Sequence, residues 1–185
     1  VGLKPTLGSL SASGVVPACR TLDTISIFAM TVDDAYDVYS VAQGFDAADA
    51  YSKLVPHKDL FAVSTPLKVG VPDQASIEFF GDTVQAEAFD RDVARLETLG
   101  IEIAYINFEP LYAIARMLYQ GAWVAERYAV IEELLANDPD AVHPVTQQII
   151  THATTMSAAD AFRGLYRLAD LKRSAEPLLA GLDAL

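Results

Sequence analysis

The nucleophilic and ionisable side chains of this chain are numerous, but few stand at spacings that chemistry requires. Ser9, Ser11 and Ser13 alternate within a stretch rich in Gly, Pro, Ser and Thr. Serines in such a setting serve turns, where the hydroxyl bonds to nearby backbone, and none of the three is expected to act as a nucleophile. Cys19 is the only cysteine, so an intrachain disulfide is excluded. A catalytic thiol needs a neighbouring base, and no histidine lies near Cys19 in sequence, so a small, partly buried thiol is expected. His57, His143 and His152 are scattered, none at metal-ligand spacing with another His or with Cys19. They are expected to be core or surface residues. Asp33 and Asp34 are adjacent, so on a helix they diverge; they are expected to be helix-terminus charges and not an acid/base pair. There is no G-x-S-x-G elbow, no P-loop and no dinucleotide fingerprint. Residue types and spacing therefore assign no catalytic residue, no metal site and no cofactor.

The elements that would position such residues read as an α/β domain. Of the 185 residues, 52% are hydrophobic and 21% charged, which suits a soluble globular domain with a sizeable core. The formal charge is −12 with no Lys/Arg-rich stripe, which argues against nucleic acid or an anionic membrane as partner. No apolar run approaches the roughly 20 residues that span a bilayer. The first thirty residues read as a long irregular segment with one or two short strands. Thr31 is expected to cap a helix with an apolar face of Val32, Ala35, Tyr36, Val38, Tyr39 and Ala42, closed by Gly44 in a left-handed cap. Residues 45–66 read as a loop. Residues 67–72 form an apolar strand, and Asp82 to Gln85 has a capping-box form. It opens a helix carrying Val84, Ala88, Val93, Leu96 and Leu99, stopped by Gly100. Residues 101–106 form a second strand, and this order predicts a parallel crossover. The rest reads as helices: from Pro110 to about Gln120, Trp123 to Leu135, Pro144 to about Thr155, and from a cap at Ser157 to about Leu179. Phe162, Leu165, Tyr166, Leu168, Ala169 and Leu171 are expected on the buried stripe of the last helix. Residues 181–185 look like the entry to a further strand. No repeat or linker marks a second domain, so residues 1–185 are read as one partial domain.

Ordered motifs then carry a family resemblance. Gly2-Leu3-Lys4-Pro5-Thr6-Leu7-Gly8, Ser11-Ala12-Ser13-Gly14-Val15-Val16-Pro17, Leu22-Asp23-Thr24 and Thr31-Val32-Asp33-Asp34-Ala35 resemble the end of the amidase signature. Gly44 to Asp49, Gly70-Val71-Pro72, Phe79 to Asp82, His143-Pro144, Tyr166 to Leu171 and above all Leu118 to Tyr128 resemble the allophanate hydrolase subfamily. The resemblance covers essentially the whole chain. It implies an α/β/α sandwich with a mixed central sheet, here expected to be incomplete at both ends.

The family's chemistry is a Ser–cis-Ser–Lys triad in which the lysine, through the bridging serine, takes the proton of the nucleophile. The resemblance places all three residues before Val1, and Lys4 is not the family's lysine. No catalytic residue is therefore assigned, and the chain alone is expected to be inactive. For the complete protein the resemblance implies hydrolysis of allophanate to ammonia and carbon dioxide. The alternatives are an amidase of the same family with another small amide, or a non-catalytic fragment. Allophanate carries a carboxylate, and an arginine offers a permanent charge in a planar fork that fits two carboxylate oxygens. The resemblance gives this role to Arg127, with Tyr119 as a hydroxyl partner. Eight helical residues return to within about 80° of the same face with a rise of about 12 Å, so a bend at Gly121 would help them converge. Without the resemblance, Arg127 reads as the partner of a surface carboxylate and Tyr119 as core. The resemblance further implies no cofactor, a homodimer and urea carboxylase as functional partner, while the single cysteine suits a cytoplasmic setting.

Overall fold

A computed structural model describes residues 1–56 and 66–185. His57 and most of the second half of the expected 45–66 loop lie outside the described residues. The order is β1 (Gly2–Leu3), β2 (Ile27–Phe28), α1 (Val32–Ala42), β3 (Lys68–Pro72), α2 (Thr83–Thr98), β4 (Glu102–Ile106), α3 (Glu109–Gln120), α4 (Trp123–Asn137), α5 (Pro144–Thr151) and α6 (Ala158–Leu179). Short 3-10 turns at Pro139–Ala141 and His152–Thr155 flank α5. The fold is α/β, and the described helices include none long and apolar enough to cross a membrane. The chain divides into two compact units: residues 1–60 with 123–155, and residues 61–122 with 156–185.

In the first unit, β1 and β2 pair antiparallel, Gly2 opposite Phe28, and α1 packs on both. Thr31 caps α1, its side chain accepting the Asp34 N–H at 3.1 Å, with Asp33 and Asp34 in the first turn. The buried face of α1 centres on Ala35, while Val32 and Val38 are exposed. Three of the expected apolar positions, Val32, Val38 and Ala42, thus point away, while Tyr36 and Tyr39, expected on that face, do flank Ala35, together with Ser40. Nor does Gly44 form a left-handed cap. The helix ends on extended Gln43, and the Gly44 N–H is drawn off to the Ser9 carbonyl at 3.1 Å. A tertiary hydrogen bond replaces the local one. The residues from Gly8 to Lys53 are tied by similar bonds. Lys53 N–H reaches the Gly8 carbonyl at 2.8 Å, Ala12 N–H reaches Asp49 at 2.8 Å, and the Ser11 hydroxyl donates to Asp46 at 2.6 Å.

The second unit is built on β3 and β4, which pair in parallel from Lys68↔Glu102 to Pro72↔Ile106, with α2 between them in sequence and packed on β4. The expected crossover is therefore present. Asp82 caps α2 by accepting the Gln85 N–H at 2.9 Å. At the other end Gly100, at φ +80°, allows Ile101 and Gly100 to bond back to Leu96 and Glu97, the paired closure of a Schellman cap. Val93 is the buried residue of α2; Val84 and Leu99 are exposed. Alternate backbone groups of β3 face opposite ways, so while Leu67 bonds Glu102, Lys68 and Gly70 bond Asp183 and Ala184. Ala184 pairs in parallel with Val69, so residues 183–184 do enter the sheet, as the sequence suggested.

Helices α3 and α6 pack together. Pro110 sits in the first turn of α3, and Ser157 with Asp160 forms a complete capping box at the start of α6. The packed stripe of α6 runs through Ala161, Gly164, Leu168, Leu171, Ala175 and Leu178, spaced three and four apart as a helix seam requires. Of the residues expected on that stripe, Leu168 and Leu171 are there, whereas Phe162, Leu165, Tyr166 and Ala169 lie exposed. The small residues of the stripe, Ala161, Gly164 and Ala175, permit close approach of a second helix.

Candidate functional site

Arg127 stands in the second turn of α4, a helix that begins at Trp123 just after the break at Gly121. Val124, fully buried, anchors that first turn. The Arg127 side chain is half-buried, and its Nε donates to Cys19 Sγ at 3.4 Å. Cys19 is 3% exposed, and its Sγ donates to the Trp123 carbonyl at 3.9 Å. A residue read as an inert small thiol thus lies against the candidate arginine, 108 positions away.

The segment around Cys19 is a tight turn because Asp23 caps it. Its carboxylate accepts the N–H groups of Ala18 at 2.9 Å and Cys19 at 3.0 Å. The Cys19 carbonyl in turn accepts from Leu22 and Asp23, both at 2.8 Å. Glu126 then ties this turn to α4. One of its carboxylate oxygens accepts the Thr21 N–H and the other the Thr21 hydroxyl, each at 2.7 Å. Glu126 is thus paired. Its partner could not have been found by spacing, because it lies 105 residues upstream.

Tyr119 occupies the last turn of α3, in the second unit, and is 57% exposed, so it is not a core residue. Trp123 is partly buried and offers its carbonyl to Cys19.

The serines behave as turn residues. Ser9 is buried, with its hydroxyl on the Thr6 carbonyl at 2.7 Å. Ser11 donates to Asp46, and the hydroxyl of Ser11, the Ala48 N–H and Ser13 together hold the Asp46 carboxyl below the usual carboxylate range. A carboxylate so stabilised is a poor base, so the pair is not a nucleophile with its activator. The partners of Cys19, a carbonyl and a guanidinium, do not take a proton either. His143 caps α5 by accepting the Val145 N–H at 3.3 Å. Among the described residues no three His, Cys, Asp or Glu side chains gather as metal ligands.

Two concavities adjoin these elements. In the first unit a cleft of about 210 Å³ is lined by Ser13, Arg20, Asp23, Asp49 and Tyr51 among others, with the Arg20 guanidinium 5.7 Å from the Tyr51 ring centre. In the second unit a cleft of about 410 Å³ between α3 and α6 is lined by Arg116, Gln120, Asp160, Arg163 and Arg167. There Arg116 pairs with Glu109, and Arg163 with Asp160 at 2.7 Å. Each of these arginines lies on a different helical turn, and the sequence alone did not mark them as neighbours.

Comparison with known proteins adds the context that geometry lacks. The family model described as Amidase matches residues 1–176. Urea amidolyase of Lachancea kluyveri is 37% identical over 188 aligned residues, covering 100% of this chain and 10% of that protein. The solved structure of Kluyveromyces lactis allophanate hydrolase superposes with a TM-score of 0.90 at 36% identity, covering 98% of this chain and 30% of that one. A glutamyl-tRNA(Gln) amidotransferase polypeptide of Methanospirillum hungatei is 38% identical over 104 residues, 54% of this chain and 23% of that protein. The chain thus spans a minor part of each relative.

Proposed function

The chain belongs to the amidase family, and from that premise we propose that it forms part of an allophanate hydrolase. The reaction would be hydrolysis of urea-1-carboxylate, releasing ammonia from the terminal amide and leaving a carboxylated product that decays to carbon dioxide. The observation that carries this reading is likeness over the whole length of the chain to a urea amidolyase and an allophanate hydrolase, where the amidotransferase matches only 54%. That partial match keeps a second reading in play, an amidase of the same family acting on another small amide.

In the proposed mechanism the nucleophilic serine, the bridging serine and the lysine come from outside this chain, so the chain alone has no turnover. Its contribution is recognition. Arg127 carries a charge that cannot be lost at working pH and a planar fork that matches two carboxylate oxygens. Tyr119 adds a hydroxyl donor. The half-buried setting of Arg127 supports this role, since a charge partly withdrawn from water interacts more strongly with an anion. Urea carboxylase as the supplier of substrate, a cytoplasmic setting and a homodimer belong to the same proposal.

The test is kinetic, in the complete protein. Loss of a buried charged partner costs about 2–5 kcal/mol, so Arg127→Ala should lower kcat/KM on allophanate about thirtyfold to several thousandfold. Arg127→Lys should recover part, because an ammonium keeps the charge without the two-pronged geometry. Tyr119→Phe should show a milder loss. A small neutral amide should be affected much less. Equal losses on both substrates would make Arg127 a scaffold residue and remove the case for allophanate over another amide.

A further inference from the structure

We propose that the turn at residues 18–23 is a positioning device for Arg127, with Thr21 and Glu126 as its latch and Cys19 Sγ as the surface that orients the guanidinium. The inference rests on the reading of Arg127 as the carboxylate-binding residue.

A two-pronged grip depends on the plane of the guanidinium as much as on its charge. Arginine reaches its target through several rotatable bonds, and that freedom must be removed for the fork to present itself in one orientation. Nε lies in the guanidinium plane, so tying Nε to a fixed atom sets the plane in which both Nη groups lie. In this structure the fixed atom is Cys19 Sγ, buried and 3.4 Å away.

The sulfur can do this only if its backbone is held on α4. Three sets of bonds achieve it. Asp23 closes the turn by capping Ala18 and Cys19. The Cys19 thiol reaches the Trp123 carbonyl in the first turn of α4. Glu126 grips Thr21 with both carboxylate oxygens, at 2.7 Å each. Adjacent helical residues point about 100° apart, so Glu126 and Arg127 meet the turn from two directions and the turn straddles that part of the helix. A bond to a carboxylate from an N–H and an O–H of one residue fixes direction as well as distance. Neither Thr21, Glu126 nor Cys19 needs to touch substrate; they act through Arg127.

The experiment uses the full-length protein and measures kcat and KM on allophanate and on a small neutral amide. The variants are Thr21→Val, Glu126→Ala, Glu126→Gln and Cys19→Ala, each alone and combined with Arg127→Ala. Glu126→Ala and Cys19→Ala are expected to lower kcat/KM on allophanate about tenfold, mainly through KM, because the fork is misaimed and not removed. Neutral-amide turnover should stay within about twofold. Glu126→Gln, which keeps a carbonyl oxygen for the Thr21 N–H, should recover most of the loss. In the Arg127→Ala background all four should cause no further loss, since residues that act through one group are not additive. Melting temperatures accompany each variant. Thr21→Val, nearly isosteric, keeps the test decisive if Glu126→Ala does not fold; it should lose about threefold on allophanate alone. Selective Arg127→Ala with latch variants that are neutral, that hit both substrates equally, or that add fully to Arg127→Ala overturns the positioning role and leaves the clamp standing. An Arg127→Ala variant that loses equally on both substrates overturns both.

Discussion

The two compact units of this chain are held by different kinds of contact. In the second, β3, α2 and β4 follow one another with a cap at each turn, and each signal lies within a few residues of what it controls. Asp82 caps its own helix three residues on, Gly100 closes that helix, and Ser157 with Asp160 opens α6. In the first, the first thirty residues contain only two two-residue strands. Side chains bonded across long separations do the work: Ser11 to Asp46, Ala12 to Asp49, Thr21 to Glu126, Cys19 to Arg127. Periodic elements can be specified locally, whereas an irregular segment must be specified by its partners. The candidate recognition residue Arg127 is carried by helix α4, but the turn that meets it belongs to the irregular framework, held by partners distant in sequence.

That contrast is most sharply tested by two glycines, one in each unit. At Gly8 the backbone is left-handed, φ +82°, and a Cβ would lie 2.3 Å from the Tyr51 carbonyl oxygen. The oxygen belongs to backbone in the loop that Lys53 bonds to Gly8, so it cannot retreat without breaking that bond. Gly8→Ala should cost about 2–5 kcal/mol, from the left-handed penalty together with overpacking. Chemical denaturation of the purified protein measures it. At Gly70 a Cβ would also be too close, 2.6 Å from Leu182 Cδ1 and 2.8 Å from Leu185 Cδ2, but those atoms are the ends of flexible side chains. Gly70→Ala should cost about 1 kcal/mol, at the low end for overpacking. If the two substitutions cost the same, the irregular segment is no more tightly specified than the sheet, and the contrast fails.

The same division governs how much was legible beforehand. The β3–α2–β4 crossover, the proline start of α3, the break at Gly121 and the cap at Ser157 were all readable, because cap, periodicity and partner lie close in sequence. The buried stripe of α6 was legible only in part. Leu168 and Leu171 do lie on it, but Phe162, Leu165, Tyr166 and Ala169 are exposed, while Ala161, Gly164 and Ala175, small enough for close helix–helix approach, complete the seam. Gly44 was misread because the Ser9 carbonyl takes its N–H, a competitor with no local signature. At the candidate site Arg127 and Tyr119 were reached through family motifs, while Cys19, Thr21 and Glu126 as its supports were not. Nothing in spacing announces a contact between residues more than one hundred positions apart.

The smallest expected effect compares a local carboxylate latch with a long-range one, through acid titration. At the start of α6 the Asp160 carboxylate accepts the Ser157 hydroxyl at 2.6 Å, the Ser157 N–H at 2.9 Å and Arg163 at 2.7 Å. The Ser157 hydroxyl is the largest cause, followed by the Ser157 N–H and Arg163, and together they lower the Asp160 pKa to about 2. In the first unit Asp46 is lowered too, chiefly by the Ser11 hydroxyl. A carboxyl with a folded pKa below its unfolded value, about 3.9, contributes stability that is complete above that value. The contribution is lost as pH falls through the folded pKa, here between about pH 4 and pH 2. Ser157→Ala should therefore raise the Asp160 midpoint, followed by carboxyl chemical shift, and flatten the part of the acid limb that Asp160 supplies. It should leave Arg127-dependent kinetics unchanged, because only the first turn of α6 is touched. Ser11→Ala should raise the Asp46 midpoint in the same sense. It also removes a bond between segments 35 residues apart, so it should lower the melting temperature at neutral pH by more than a cap three residues long does. Equal melting shifts at neutral pH, or an Asp160 midpoint that does not move in Ser157→Ala, would show that separation in sequence does not set what these bonds hold together.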